Sequence, residues 1–206
     1  VPEDLARLYR SYAARANYLA MDRADIAQAT KELCRRMREP TWADVSALRW
    51  LSAYLAGSPR LVYEYLWQRP ADIQVFADTD YAGCVATRRS TSGGCMMRGT
   101  HLMKHWSITQ RTVTLSSGEA ELLGIVRGCS EALGLQSLAR YLGIPAEISV
   151  CGDSSAAIGI CRRAGIGKVR DLAVGQLWVQ NLVRSGEVRL HKVLGTTNSA
   201  DALTKP

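Results

Sequence analysis

The segment IQVFAD (73–78) reads as a buried strand that ends on an acidic residue. Two strand-like segments follow at 93–98 and 101–108, joined by Gly or Thr turns. Two more lie at 147–152 and 187–193, each after a helical stretch. These segments predict a β-sheet in the second part of the chain.

Helices are predicted between and after these strands. Ser116 and Glu119 have the spacing of a capping box and open a long helical stretch from Ser117 to Leu142, with Gly134 as a candidate break. Further helices are predicted at 154–163, at about 171–184 and from Asn198 onward. This order of strands and helices indicates an α/β domain with helices packed on a central sheet.

The first part of the chain has a helical pattern instead. Apolar residues at helical spacing form three predicted faces: Leu5, Leu8, Tyr12 and Ala16; Ile26, Ala29, Leu33 and Met37; and Val45, Leu48, Leu51 and Leu55. Thr41 and Asp44 form a capping box for the third helix, which is expected to stop at Gly57. The pattern predicts a small helical unit.

The boundary between the two parts is predicted from a change of composition. Residues 61–67, LVYEYLW, are strand-like because of their β-branched and aromatic content. A polar, proline-containing joint follows at 68–72. We therefore expect a helical domain at 1–69 and an α/β domain at 70–206.

Four carboxylates of the second domain follow or interrupt apolar runs: Asp78, Glu121, Asp153 and Asp201. Carboxylates at the edge of buried elements are costly unless a positive charge meets them. Mg²⁺ suits this role because it prefers oxygen ligands and keeps several waters. Taken one at a time, the same residues are explained equally well as helix caps or solvated loop acids.

A resemblance to a known family joins these observations. The segments that carry it, in order, are VFADTDYAGC (75–84), STSGG (90–94), TLSSGEAELLGI (114–125), SVCGDSSAAI (149–158) and SADALTKP (199–206). Together they closely resemble the ribonuclease H domain of copia-type retrotransposon polyproteins. Any one segment alone would be a weak match, whereas their shared order is specific.

The resemblance implies a ribonuclease H-like fold, an α/β fold with a five-stranded mixed sheet flanked by helices. It also implies metal-binding carboxylates at Asp78, Glu121, Asp153 and Asp201, with Mg²⁺ as cofactor and Mn²⁺ as an alternative. Asp201 is expected to be the more mobile ligand. By the same alignment Glu121 takes the metal position while Glu119 caps its helix, and Asp78 outranks Asp80.

The function implied is that of an endonuclease that hydrolyses the RNA strand of an RNA:DNA hybrid. Two metal ions about 4 Å apart would stabilise the attacking water and the leaving oxygen. RNA would be selected through its 2′-hydroxyls and the shape of the hybrid. The net charge of +7 favours a polyanionic partner of this kind.

The helical part, beginning YRSYAARANYLAMDR (9–23), resembles the end of the reverse transcriptase region of the same polyproteins. This implies that the upstream polymerase part of the polyprotein is a partner. The polymerase's paired aspartates lie upstream in that family, so the fragment is not expected to polymerise. The helical part is expected to contribute Arg and Lys side chains that contact phosphates.

Two alternatives to catalysis stay open, namely a catalytically inactive nucleic-acid-binding remnant and a structural spacer. Arg170 followed by Asp171 favours the remnant, because the family often has a basic residue followed by His there. The short stretch after Asp201 favours it too.

Residues 193–199 lack the His that many ribonucleases H have in this loop, which leaves Thr196 or water as the proton donor. STSGG is expected to be a turn beside a strand.

The predicted location is intracellular, in a cytoplasmic particle or the nucleus. The sequence has no apolar run of membrane-spanning length and does not begin as a signal peptide. The six cysteines lack zinc-finger spacing and suit small buried positions in a reducing compartment. We therefore expect no membrane partner.

Overall fold

A computed structural model describes residues 1–167 and 174–205, which form two compact units, Val1–Tyr63 and Glu64–Lys205. The helices of the first unit are α1 (Glu3–Leu19), α2 (Ala27–Arg35) and α3 (Trp42–Gly57), with a 3₁₀ turn at Ala24–Ile26. The capping box of α3 is confirmed: the Thr41 hydroxyl accepts from the Asp44 N–H at 3.3 Å, and the Asp44 carboxylate accepts from the Thr41 N–H at 2.8 Å. The predicted helical region is therefore present.

The face predicted for α1 is only partly correct. Ala16 is buried and Leu5 packs against the core of this unit, but Leu8 and Tyr12 are 50% and 46% exposed. The face that packs inward consists of Ala6, Tyr9, Ala13 and Ala16. Small alanines let α1 approach α2 closely, and the Tyr9 hydroxyl donates to the Leu33 carbonyl at 2.8 Å. This buried hydrogen bond and the alanine packing set the rotation of the helix, which apolar periodicity alone does not reveal.

The second unit is built on a five-stranded sheet with the order β3-β2-β1-β4-β5. The strands are β1 (Asp72–Asp80), β2 (Thr91–Arg98), β3 (His101–Thr109), β4 (Glu147–Gly152) and β5 (Val188–Lys192). The pairs β1–β2 and β2–β3 are antiparallel, whereas β1–β4 and β4–β5 are parallel. The predicted α/β fold, with a five-stranded mixed sheet and flanking helices, is confirmed.

Among the described residues, three helices accompany this sheet: α4 (Ser117–Tyr141), α5 (Ser155–Arg162) and α6 (Trp178–Ser185). The core between helices and sheet includes Ile73 and Val75 from β1, Val150 from β4 and Leu122 and Ile125 from α4. The candidate break near Gly134 is wrong, because α4 is continuous through it. The helix predicted at about 171–184 begins at Trp178, after a 3₁₀ turn at Val174–Gln176, and its predicted start falls partly outside the described residues.

The strand predicted at 61–67 is wrong. Residues 58–70 have no regular secondary structure. Their contacts with the β2–β3 hairpin run through side chains: the Tyr65 hydroxyl donates to the Leu102 carbonyl at 3.2 Å, and the Gln68 amide donates to the Arg98 carbonyl at 3.0 Å. A strand needs a backbone ladder, which aromatic content alone does not supply. The domain boundary at residue 69 stays a prediction.

The helix predicted from Asn198 is wrong as well. The segment contains only a 3₁₀ turn at Asp201–Leu203. The Asn198 side chain does accept from the Ala200 N–H, at 3.1 Å, but its amide also donates to the Ala77 carbonyl in β1 at 2.9 Å. The segment is thus held against the sheet by side chains. Within residues 1–167 and 174–205, every helix is too short or too polar to pass through a bilayer.

Candidate metal centre

Asp78 lies near the end of β1, the middle strand of the sheet. Its position is opposite Gly93 of β2, and it is only 4% exposed. The Thr204 hydroxyl donates a hydrogen bond to its Oδ2. A carboxylate buried to this degree is costly unless hydrogen bonds or positive charge compensate it.

The parallel pairing of β1 with β4 brings a second carboxylate to the same edge. Phe76 is in register with Cys151, and Asp78 and Asp153 each follow two residues later. Asp153 comes directly after β4, just before α5. Because the carboxyl ends of parallel strands meet at one edge of a sheet, this register places the two side chains side by side.

The third carboxylate, Glu121, is carried by the first turns of α4. This helix packs closely on β1 at Gly124, where an added Cβ would lie 2.8 Å from the Thr79 hydroxyl oxygen. The Thr79 hydroxyl also donates to the Ala120 carbonyl at 3.3 Å. The glycine therefore allows the close approach that carries Glu121 toward the end of β1.

The carboxylates of Asp78, Glu121 and Asp153 converge, with one oxygen from each lying within 4.8 Å of the others. Burial, followed by repulsion from Asp78 and Asp153, raises the pKa of Glu121 to about 8. Burial also raises the pKa of Asp78, and repulsion from Asp153 adds to this, although the Thr204 hydrogen bond opposes it. Three oxygen donors that repel one another match the ligand preference of Mg²⁺, so the residues present fit a divalent cation.

The fourth predicted residue, Asp201, lies outside this group of three. It begins the 3₁₀ turn Asp201–Leu203, and its carboxylate forms an ion pair with Lys205. Asp201 still contributes to the raised pKa of Asp78 through repulsion. The ion pair with Asp201 raises the pKa of Lys205. Asp201 is therefore near the cluster but already has a cation of its own.

No family model matches the chain. The retrovirus-related Pol polyprotein from transposon RE1 of Arabidopsis thaliana is 29% identical over 201 residues, which cover 96% of this chain and 14% of that polyprotein. The corresponding polyprotein from transposon RE2 of the same plant is also 29% identical over 201 residues, with the same coverage. The chain is thus similar to retrovirus-related Pol polyproteins of copia-type transposons over nearly its whole length. The predicted resemblance is confirmed.

One further sequence relative and one solved structure each match part of this chain. An uncharacterized mitochondrial protein of Arabidopsis thaliana is 34% identical over 126 residues, covering 60% of this chain and 51% of that protein. Among solved structures, the N-terminal RNase H domain of a Mycobacterium tuberculosis protein has a TM-score of 0.46 and 19% identity, covering 65% of this chain and 91% of that one. The chain thus spans about half of the first relative and 14% of the polyproteins.

Three residues of this Pol homologue that sequence reasoning did not assign to the site lie beside Asp78. Thr204 bonds to its carboxylate, Asn198 bonds to the preceding carbonyl, and Gly93 is its partner across the strands. The motifs STSGG and SADALTKP contained Gly93 and Thr204 but gave no reason to bring them together. The sequence signal that could have pointed to two of them is that Asn198 and Thr204 are polar residues on either side of Asp201.

The remaining candidates are placed as follows. Glu119 caps α4, since its carboxylate accepts from the Leu115 N–H at 2.8 Å. The Asp80 carboxylate lies against Gly83 in the loop after β1.

STSGG is not a turn, because Thr91 to Gly94 belong to β2, where the chain pairs on both sides. Thr196 lies in a 3₁₀ turn whose first residue, Gly195, adjoins the Asp153 carboxylate. Arg170 and Asp171 are outside the described residues.

Proposed function

We propose that the unit Glu64–Lys205 is a ribonuclease H, a metal-dependent endonuclease that hydrolyses the RNA strand of an RNA:DNA hybrid within a retrotransposon polyprotein. The observation that carries this proposal is the convergence of Asp78, Glu121 and Asp153 within 4.8 Å. Homology to Pol polyproteins over 96% of the chain supplies the biological context. The upstream polymerase part is the proposed partner in the same polyprotein.

Two Mg²⁺ ions, or Mn²⁺ as the alternative, are the proposed cofactors of this site. When bound, they would supply positive charge to the attacking water and to the leaving oxygen of the scissile phosphodiester. Asp78, Glu121 and Asp153 are the proposed principal ligands, and Asp201 becomes available as a fourth if Lys205 releases it. Because the pKa of Glu121 is about 8, this side chain is largely protonated at pH 7 and loses its proton when cations bind.

Two lysines next to the carboxylates are suited to phosphate contacts. Lys192 ends β5 in register with Gly152, the residue before Asp153, and Lys205 lies beside Asp201. Both side chains are exposed. Phosphate contacts of this kind hold a duplex without reading its sequence and weaken as salt rises.

The proposal is tested with two substrates, an RNA:DNA hybrid with a labelled RNA strand and a labelled DNA duplex. Cleavage of each is measured with Mg²⁺ and with a chelator. We expect cleavage of the hybrid with Mg²⁺ alone and its loss in Asp153→Asn and Asp78→Asn. Asp72→Asn is the matched control, because Asp72 is a carboxylate at the other end of the same strand. Metal-independent cleavage, or full activity of Asp78→Asn, would contradict the proposal.

The second candidate is a catalytically inactive hybrid-binding remnant. The ion pair between Asp201 and Lys205 favours it, because a fourth carboxylate is already neutralised within the protein. This alternative predicts salt-sensitive hybrid binding that is unchanged by Mg²⁺, with no cleavage. Filter binding with the same labelled hybrid separates the two candidates.

A further inference from the structure

The terminal segment Asn198–Lys205 is tied to two consecutive residues of β1. The Asn198 amide donates to the Ala77 carbonyl at 2.9 Å, and the Thr204 hydroxyl donates to Oδ2 of Asp78. Both side chains are buried, with exposures of 5% for Asn198 and 1% for Thr204. Buried polar groups hold their partners strongly because losing the hydrogen bond leaves an uncompensated group.

The approach of Thr204 to Asp78 also depends on the strand next to it. Gly93 lies directly opposite Asp78, and an added Cβ there would be 2.6 Å from Cγ2 of Thr204. The same Cβ would be 2.9 Å from the carbonyl carbon of Leu203, which is backbone and cannot rotate away. The glycine therefore provides the space in which the Thr204 side chain sits.

We infer that Thr204 is a positioning residue that sets the orientation of the Asp78 carboxylate for cation binding, with Gly93 providing the space. This inference rests on the proposed function. The last torsion of an aspartate side chain is soft, so one hydrogen bond to Oδ2 is enough to select its angle. A carboxylate has about four lone-pair positions, which leaves others for a metal.

The role is distinct from merely closing the terminus onto the sheet. Asn198 already anchors the segment through a backbone carbonyl, whereas Thr204 bonds to the functional carboxylate itself. Partners that orient a metal ligand typically contribute 10- to 100-fold to affinity or activity. The hydroxyl of Thr204, and not its methyl group, carries this contribution.

The experiment compares pairs of variants that differ only in the hydroxyl. Wild type against Thr204→Val is one pair, and Thr204→Ser against Thr204→Ala is the other. Mn²⁺ affinity is measured by calorimetry on the full chain, and kcat and KM are measured on the hybrid. Thr197→Val is the matched control, because the Thr197 hydroxyl, just before the terminal segment, donates to the Leu194 carbonyl and not to a carboxylate.

We expect Thr204→Val and Thr204→Ala to lose Mn²⁺ affinity and kcat by about 10-fold or more, with KM for the hybrid changing less than about 2-fold. Thr204→Ser and Thr197→Val should stay within about 3-fold of wild type. If Thr204→Val fails to fold, the Ser and Ala pair gives the same comparison. Equal Mn²⁺ affinity within each pair would overturn the inference. A wild type that neither binds Mn²⁺ nor cleaves would instead overturn the proposed function.

Discussion

The two units of this chain treat partly buried carboxylates in opposite ways. In the first unit, Asp25 accepts three hydrogen bonds from the buried Arg23, at 2.9, 3.2 and 2.7 Å, and one from Tyr54 at 2.8 Å. These contacts lower the pKa of Asp25, the hydrogen bond from Arg23 being the main cause. In the second unit, burial raises the pKa of both Asp78 and Glu121, and neighbouring carboxylates add to this.

The difference separates Asp25, a structural acid, from the acids of the proposed metal site. Asp25 has its counter-charge within the fold, so its ionised form is stable without any ligand. Asp78, Glu121 and Asp153 have one another as neighbours, an arrangement that costs stability until cations arrive from outside. Strong perturbation of pKa in a cluster of this kind is typical of a functional site.

The largest expected effect comes from neutralising the cluster. Glu121→Gln should reduce hybrid cleavage at least ~100-fold, since it removes a metal ligand outright, where even the loss of an outer partner costs 10- to 100-fold. The same change should stabilise the second unit without metal at neutral pH, because Glu121 has to take up a proton on folding whereas the amide is neutral in both states. Activity assays and amide hydrogen exchange of β1 and β4 measure the two effects. Equal activity, or lower stability without metal, would break the comparison.

A second effect is on the pH dependence of stability in chelator. The folded-state pKa of Glu121, about 8, lies above its usual value of 4.5, so the folded state binds more protons between these pH values. The free energy of unfolding of the second unit should therefore fall by up to about 5 kcal/mol as pH rises from about 4.5 to 8, since one pKa unit corresponds to about 1.4 kcal/mol, and level off above. Mg²⁺ should make this fall in the free energy of unfolding smaller. Hydrogen exchange of β1 across this range measures it, with Glu121→Gln as the control.

A third effect concerns Asp25, whose carboxylate is paired with Arg23 within the fold. Asp25→Asn should lower the melting temperature of the first unit by about 4–8 °C, because Arg23 loses its carboxylate. Its pKa is lowered, so the stability it contributes is present above its unfolded pKa and is lost as pH falls through the lower folded value. Circular dichroism of wild type and variant at neutral and acidic pH checks both points. A variant that melts at a higher temperature would place Asp25 with the functional acids.

The smallest expected effect is at Lys205, a cation whose charge acts on Asp78 and Glu121. Its side chain is 60% exposed, so its ion pair with Asp201 is weak. Lys205→Met should raise Mn²⁺ affinity by about 2- to 5-fold at low salt, and less at high salt, since it removes a positive charge and frees Asp201. Calorimetry at two salt concentrations gives this result. A fall in affinity would mean that Lys205 supports the site.

The positions of the strands and of the three converging acids could be predicted, because both depend on local patterns. Apolar runs mark β1 and β4, and an acid that follows each of two parallel strands meets its neighbour at one edge. The contact between Thr204 and Asp78 joins residues 126 positions apart, and no local pattern encodes it. Residues 61–67 mislead for the related reason that strand formation needs a partner strand.

Other errors came from close packing. The buried face of α1 consists largely of alanines, whose value is that they allow close approach, so ranking by hydrophobicity favoured Leu8 and Tyr12 instead. Gly93 looked like a turn residue but lies within β2, where its missing side chain makes room for Thr204. Both cases show that small residues mark contact points whose partners only the fold reveals.

Anomalous diffraction from crystals of the full chain soaked in Mn²⁺ would show directly whether the three carboxylates hold a cation. We expect a peak among Asp78, Glu121 and Asp153, at about 2.0–2.6 Å from their carboxylate oxygens. Saturating Mn²⁺ with no peak there, or carboxylates that point away from one another, would contradict it.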